Sequence, residues 1–464
     1  AIRQTPMAIV GGTLAANTTW TPAMGMILVV ADVIVPTNIT LTVQAGSIIK
    51  LTNTVALHAA AGGVINVAGA EDSPVLITTA FGTNNWNELV ADGANSFLTI
   101  RHAEITRGAV KFRNGATGLM EDCYLHDYKN GTVPIAGCTD AASVTVRRCH
   151  FSVYHETLWQ FTLMLIEDSL FENANNPSSD ALDFDGAPPG SVIRRCTFRH
   201  GPQGNTDAVD IGSSTIGVLI HDCLMYDFPN DKGVTIGDAG AFSYGIVISN
   251  CLIYGCDSAF GVKDTCTAGI FNCTAANNDY GFHNYNKANA AATTGGGIIT
   301  NSYNNILWGN RTNVALFNGG VAVASYTDVG PTNAYGATNF VTSNNISADP
   351  LFLNAALRDY RLATNSPAIG AGLGGATLGA HFPVGAPMAP SHPSFLSITT
   401  SNGSAALRFW ADSEKTYSVL ASDVLIGPYL KIADVASPPV PRLTTVTNST
   451  LSNARYYLLV TPMQ

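Results

Sequence analysis

Two short segments place aspartates at a regular interval in a chain with only 12% charged residues: Ala-Leu-Asp-Phe-Asp at 181–185 and, 27 residues later, Ala-Val-Asp-Ile-Gly at 208–212. Gly-Val-Thr-Ile-Gly (233–237), Gly-Val-Lys-Asp-Thr (261–265) and Gly-Phe-His-Asn-Tyr (281–285) align behind them. If Leu182, Val209, Val234, Val262 and Phe282 form one buried column, their neighbours Asp183, Asp210, Thr235, Lys263 and His283 form an exposed one, with Lys111 and Trp159 upstream. Carboxylates on adjacent rungs ~5 Å apart repel by ~3 kcal/mol at an effective dielectric of about 20, or about two pK units. A bound cation, a shared proton or an interleaved lysine relieves that repulsion, and Asp185, Asp207, Asp231 and Lys232 lie close enough in sequence to complete such a site. Calcium takes about six to eight oxygen ligands, so Asp183, Asp185, Asp207 and Asp210 form the expected metal set. The alternative is a solvated face on which these side chains splay apart.

Such columns require an element that returns to the same place once per repeat. Cys123, Cys149, Ser169, Cys196, Cys223, Cys251, Cys273 and Ser302 each follow a run of alternating apolar residues, at intervals of 20 to 29 residues. A period in that range marks a repeat architecture. The alternation is of period two, rich in Val, Ile and Phe with Gly and Asn at the turns, which predicts short strands rather than helices. The expected fold class is all-β: a right-handed parallel β-helix, a single-stranded solenoid whose coils stack ~4.8 Å apart. The cysteines become an inward ladder of small apolar side chains. Cys138, Cys256 and Cys266 fall off it, to pair or remain free.

The β-helix is expected over 1–380, with capping coils at 26–67 and a closing segment at 349–372. A proline-rich linker follows at 381–394, and 395–464 holds about six strand candidates, the pattern of a small C-terminal β-sandwich. The net charge of −10 argues against a nucleic-acid partner, since phosphate-binding surfaces need clustered Lys and Arg. No apolar run reaches the ~18 residues of a membrane span. The opening residues lack a basic region followed by an apolar stretch, as expected of a mature chain after signal removal, either secreted or at the cell surface. No organic cofactor is indicated, and a monomer is expected.

The stretches "NDKGVTIGD" and "AFGVKD" resemble segments of secreted bacterial parallel β-helix proteins of the pectate-lyase-like superfamily. "TYSV" and "ARYYLLVTP" resemble fibronectin-type appendages that end many secreted bacterial proteins. "NTDAVD" resembles the "NTDGxD" of the polygalacturonases, which implies a catalytic Asp207. That family's following Asp-Asp pair falls here on Asp231 and Lys232, and its Gly-His-Gly is absent. These resemblances imply an extracellular polysaccharide partner and an enzyme, with a polysaccharide lyase preferred. In β-elimination on a uronate polymer, Asp183, Asp207 and Asp210 would hold a cation such as calcium, and Lys263 would be the base, with Lys232 its competitor. Trp159, His283, Tyr280 and Asp231 would contact substrate, and Tyr285 and Trp308 are further aromatic residues near the face. A glycoside hydrolase using the same aspartates, or a non-catalytic carbohydrate-binding or adhesive rod, are the alternative functions.

Overall fold

The computed structural model describes residues 7–81, 84–128, 135–174, 176–201, 204–212, 214–238, 242–287, 295–331, 334–386, 397–401, 404–411, 416–423, 430–436, 442–449 and 456–460. Among them every regular element is a strand or a single 3-10 turn. The chain forms two compact units, residues 1–350 with 364–389, and residues 351–363 with 390–464.

The first unit is a right-handed parallel β-helix. Its strands stack in register, coil upon coil, into three faces. One face is a 14-stranded parallel sheet running from Thr18–Trp20 to Phe340–Ser343. The other two belong to a 23-stranded sheet, because Met26–Val35, Leu224–Ile236 and Leu252–Lys263 each turn the corner and pair on both sides of it. Side chains alternate in and out along each strand, so Val, Ile, Leu and Phe from all three faces meet in one continuous core. Within it Phe151, Phe171 and Phe198 stack at 4.6 and 5.0 Å.

The corner between the first and second faces is made by one residue per coil in left-handed conformation: Asp122, Arg148, Asp168, Arg195, Asp222, Asn250, Asn272 and Asn304. Asp and Asn enter that region at low cost. The arginines are held there by charge alternation along the axis: Arg148 Nε donates to Asp122 Oδ1 at 2.8 Å, and Arg195 Nε to Asp168 Oδ1 at 2.6 Å. The inward cysteine ladder follows immediately. It departs from expectation at its lower end, where Cys273 N donates to Asn305 Oδ1 at 2.8 Å and the ladder continues through Thr327 and Asn345. Ser302 pairs instead with Ile270 on the first face, after an irregularity between Ala268 and Gly269 that shifts the register. All nine cysteines are buried and outside any disulfide, Cys138, Cys256 and Cys266 included.

The first rung begins at Met7–Thr13, which pairs with Met26–Val35, so coiling starts ahead of the expected capping segment. At the far end residues 372–386 run back along the helix. Gly379 N donates to Asn304 O, Ala380 N to Thr274 Oγ1, Gly385 N to Asp222 O and Ala386 N to Thr197 Oγ1. The start of the proline-rich stretch is therefore bonded to the coils, and residues 387–394 lie outside the described residues. In the second unit Ser397–Ser401, Ser404–Ala411 and Arg442–Asn448 form one antiparallel sheet, and Tyr417–Ser422, Leu430–Val435 and Tyr456–Val460 another. Leu407 and Phe409 of the first sheet and Tyr417, Val419 and Leu459 of the second belong to one apolar cluster.

Candidate functional site

On the third face Leu182, Val209, Val234, Phe260 and Phe282 form the buried column, and Asp183, Asp210, Thr235, Gly261 and His283 the outward one. The expected register therefore holds for Asp183, Asp210, Thr235 and His283. It fails at one coil: Phe260 replaces Val262, and Gly261 replaces Lys263. Lys263 lies two residues further along its strand, opposite Tyr285 and in line with Asp185, Gly212 and Gly237. Upstream the outward column continues through Leu158 and Gly137 to Lys111, as expected of Lys111. Trp159 does not belong to it. It pairs with Phe184, has 0% exposure, and donates its indole N–H to Thr157 Oγ1 at 3.1 Å, so it is a core residue and contacts no ligand.

A further column lines the corner where the chain enters this face. Asp207 N donates to Asp180 Oδ1 at 2.6 Å, Ala208 N to Lys232 O, and Lys232 stands opposite Ser258, which stands opposite Tyr280. The three columns give a gradient down the axis. Two coils carry Asp180, Asp183, Asp185, Asp207 and Asp210; the next two carry Lys232 and Lys263; the next carries Tyr280, His283 and Tyr285. Both tyrosine rings stack on His283, at 4.2 and 4.4 Å, and Phe317 meets it edge-on. Arg311 covers Tyr280 at 5.2 Å.

The carboxylates crowd. Burial first, then the charges of Asp210, Glu156 and Asp185, push the Asp183 carboxyl up to about 8. Burial and Asp207 push Asp210 up to about 7, against the opposing pull of Lys263, Lys232 and Lys287. Burial, Asp207 and Asp210 raise Asp180 strongly. One oxygen each of Glu156, Asp180 and Asp183 lies within 4.8 Å of the other two, an all-oxygen donor set of the kind calcium takes. Of the expected metal set only Asp183 belongs to that trio. Asp185 accepts from Gln160 Nε2 at 3.1 Å, and Asp207 accepts from Lys232 N at 2.9 Å.

The lysines differ in their engagement. Lys232 Nζ pairs with Asp231 Oδ1 and stands 3.7 Å from Asp207 Oδ1, its stem crossing the space a side chain at Gly261 would fill. Lys287 Nζ pairs with Asp238 at 2.5 Å. Lys263 is only 6% exposed, and its side chain makes no ion pair or hydrogen bond among the described residues, its charge acting on Asp210 from a distance. Asp210 Oδ1 is likewise buried without a hydrogen-bond partner. Burial lowers Lys111 to about 8, with Glu88 opposing. Burial, then Lys232, lowers His283 to about 4, and its Nδ1 meets Ser258 Oγ at 2.8 Å.

Asp183, Asp207, Asp210, Asp231, Lys232, Lys263, His283 and Tyr280 thus share one face. Glu156, Asp180 and Lys287 join them without having been singled out. Asp180 was legible, since its interval to Asp207 equals that from Asp183 to Asp210. Glu156 was not, because the coil containing it is shorter by about two residues than the one after it.

Residues 153–296 match the family model described as a right handed beta helix region. No curated protein matches the chain. Among solved structures, the crystal structure of alginate lyase from Paenibacillus sp. str. FPU-7 is similar at a TM-score of 0.25 and 14% identity, over 67% of this chain and 93% of that one. At that score the likeness carries no weight for chemistry.

Proposed function

We propose that this chain is an extracellular polysaccharide lyase that cleaves a uronate-containing glycan by β-elimination on the third face. The observation that carries this reading is Lys263, 6% exposed and without an ion pair among the described residues, two coils below Asp210, whose Oδ1 is buried without a hydrogen-bond partner. A buried charge is costly unless paired, and a substrate carboxylate would supply the missing counter-ion. Lys263 and Lys232 then hold the uronate carboxylate, which stabilises the negative charge that builds as the C5 proton leaves. Ionised Asp210 takes that proton, the C4–C5 double bond forms, and the C4–O bond breaks. Asp183, which keeps its proton up to about pH 8, supplies one to the departing oxygen. General bases and acids work best with pKa values near the operating pH. Tyr280, His283 and Tyr285 offer a stacked aromatic surface to a neighbouring sugar.

Glu156, Asp180 and Asp183 are the residues that would hold calcium, and a cation there would neutralise a further substrate carboxylate. Protons and a cation are alternative ways of relieving the same crowding. A second reading is favoured by one feature: Asp183 and Asp210 sit on adjacent rungs, ~4.8 Å apart, close to the ~5 Å of retaining glycosidase pairs.

Uronate-containing polymers incubated with the full chain should yield an ultraviolet-absorbing unsaturated product, and Lys263→Met should abolish it while the fold persists by circular dichroism. Reducing ends from neutral glycans without that absorbance would replace lyase by hydrolase. No product from either class, with or without calcium, would leave a non-catalytic binding protein.

A further inference from the structure

His283 has a chemistry open to it that the tyrosines beside it lack. Tyr280 and Tyr285, which precede and follow it on the strand Tyr280–Tyr285, both stack on its ring, and Phe317 meets it edge-on at 5.7 Å. What remains to the ring is its two nitrogens. Ser258 Oγ lies 2.8 Å from Nδ1 and donates its hydrogen to Asp257 Oδ2 at 2.7 Å. A carboxylate only accepts, and a hydroxyl has one hydrogen to give. Ser258 must therefore accept from His283, so Nδ1 carries the ring hydrogen. Burial, then the charge of Lys232, lowers the imidazole to about 4 and keeps it neutral near neutral pH. In a neutral ring the second nitrogen is an acceptor. That nitrogen, Nε2, has no hydrogen-bond partner among the described residues, and it belongs to a half-buried residue of the outward column.

Register ties this acceptor to the lysines. Gly261 stands one coil above His283, ~4.8 Å away, and the Lys232 stem crosses the space over Gly261. Lys263 stands opposite Tyr285 on the same two coils. Resting on the lyase reading of this face, we propose that His283 Nε2 accepts the hydrogen of a free ring hydroxyl on the sugar seated against Lys232 and Lys263, with Ser258 and Asp257 as positioning residues that fix the tautomer. A sugar esterified at that hydroxyl brings only acceptor oxygens to Nε2. It is rejected because a site built to bond a hydroxyl is left with an unpaired polar atom when the hydroxyl is missing.

The test uses the full chain, isotope-labelled at histidine nitrogens and read by NMR at neutral pH, with His283→Phe assigning the signals. Nδ1 should be protonated and Nε2 bare in the native chain, whereas Ser258→Ala should show both tautomers. Uronate polymers are then offered free and O-acetylated, and both cleavage and retardation in polymer-containing gels are measured. The native chain should favour the free polymer ~10-fold, the equivalent of ~1.4 kcal/mol. His283→Phe, which keeps an aromatic ring in the stack, should lose most of that preference through a higher KM on the free polymer alone. Should it misfold, Ser258→Ala should narrow the preference. A hydrogen on Nε2 in the native chain, or a preference that the variants leave intact, overturns the inference and leaves the lyase reading standing. Retardation of the free polymer without cleavage overturns the lyase reading alone, the preference then being read from retardation. No cleavage and no retardation of any polymer overturns both.

Discussion

Replacing Asp183 by asparagine should stabilise the β-helix at alkaline pH and leave it nearly unchanged in mild acid. In the folded chain this carboxyl is raised from 3.8 to about 8. A carboxyl with a raised folded pKa stabilises the protein fully below its unfolded pKa, and that contribution is lost as pH rises through the folded value. The native chain should therefore weaken from about pH 4 towards about pH 8.5. Asp210 one rung away contributes most of the Coulomb repulsion, ~3 kcal/mol for ~4.8 Å at an effective dielectric of about 20. Water in a half-open groove screens part of this, leaving ~1–3 kcal/mol. Asparagine keeps the shape and never ionises. Differential scanning calorimetry in chelator should show Asp183→Asn melting ~2–6 °C above the native chain at about pH 8.5 and within ~1 °C at about pH 4. Calcium added at the alkaline pH should raise the native melting temperature more than the variant's, since the trio has lost one carboxylate charge. A gain of equal size at both pH values, or a loss at the alkaline one, would refute the crowding and with it the acid-base roles of Asp183 and Asp210.

Two further outcomes follow from the same structure. A thiol reagent added to the native chain should label none of the nine buried cysteines and should label all nine in denaturant; any label in the native state, or fewer than nine unfolded, contradicts their burial outside disulfides. Gly261→Val should push aside the Lys232 stem, whose Cδ would lie 2.8 Å from the new Cβ, and cut kcat/KM by ~10-fold or more with melting nearly unchanged, so full activity would show that Lys232 has no part in the site.

Period-two alternation tells inside from outside but cannot see a slip of two residues, which keeps every side chain on its own face. Asp183 and Asp210 were readable because both coils consume 27 residues and their flanking apolar residues match. Lys263 was misplaced because Phe260 and Val262 both point inward, so matching Gly-Val to Gly-Val chose the wrong one of two equivalent registers. Trp159 shows the other failure. A slip of one residue turns a core indole into a surface one, and the indole N–H, satisfied by its own neighbour Thr157, leaves no trace of burial in the sequence. Ser302 was lost to an irregular coil, where residues inserted on the first face carry the ladder on to Asn305.

The misplaced register matters to the chemistry. With Lys263 in the central column its amine would stand beside Thr235 and His283, and the floor of the groove would be filled. Gly261 occupies that place instead, and Gly212 and Gly237 occupy the positions above Lys263 in its own column. A side chain at 212 would meet Asp185 Oδ1 at 2.3 Å and one at 261 the Lys232 Cδ at 2.8 Å, so neighbouring side chains lie over the glycine backbone between the acidic coils and Lys263. That backbone lets Lys232 lie across the face from one column and leaves Lys263 at the edge of the other, with Asp210 above both. On the lyase reading a sugar carboxylate placed there would meet an ammonium without an ion pair, and its C5 hydrogen would pass to Asp210, whose Oδ1 is buried without a hydrogen-bond partner. The absence of side chains at 212 and 261, as much as the presence of the charged ones, is what lets Asp185 and Lys232 lie across this face.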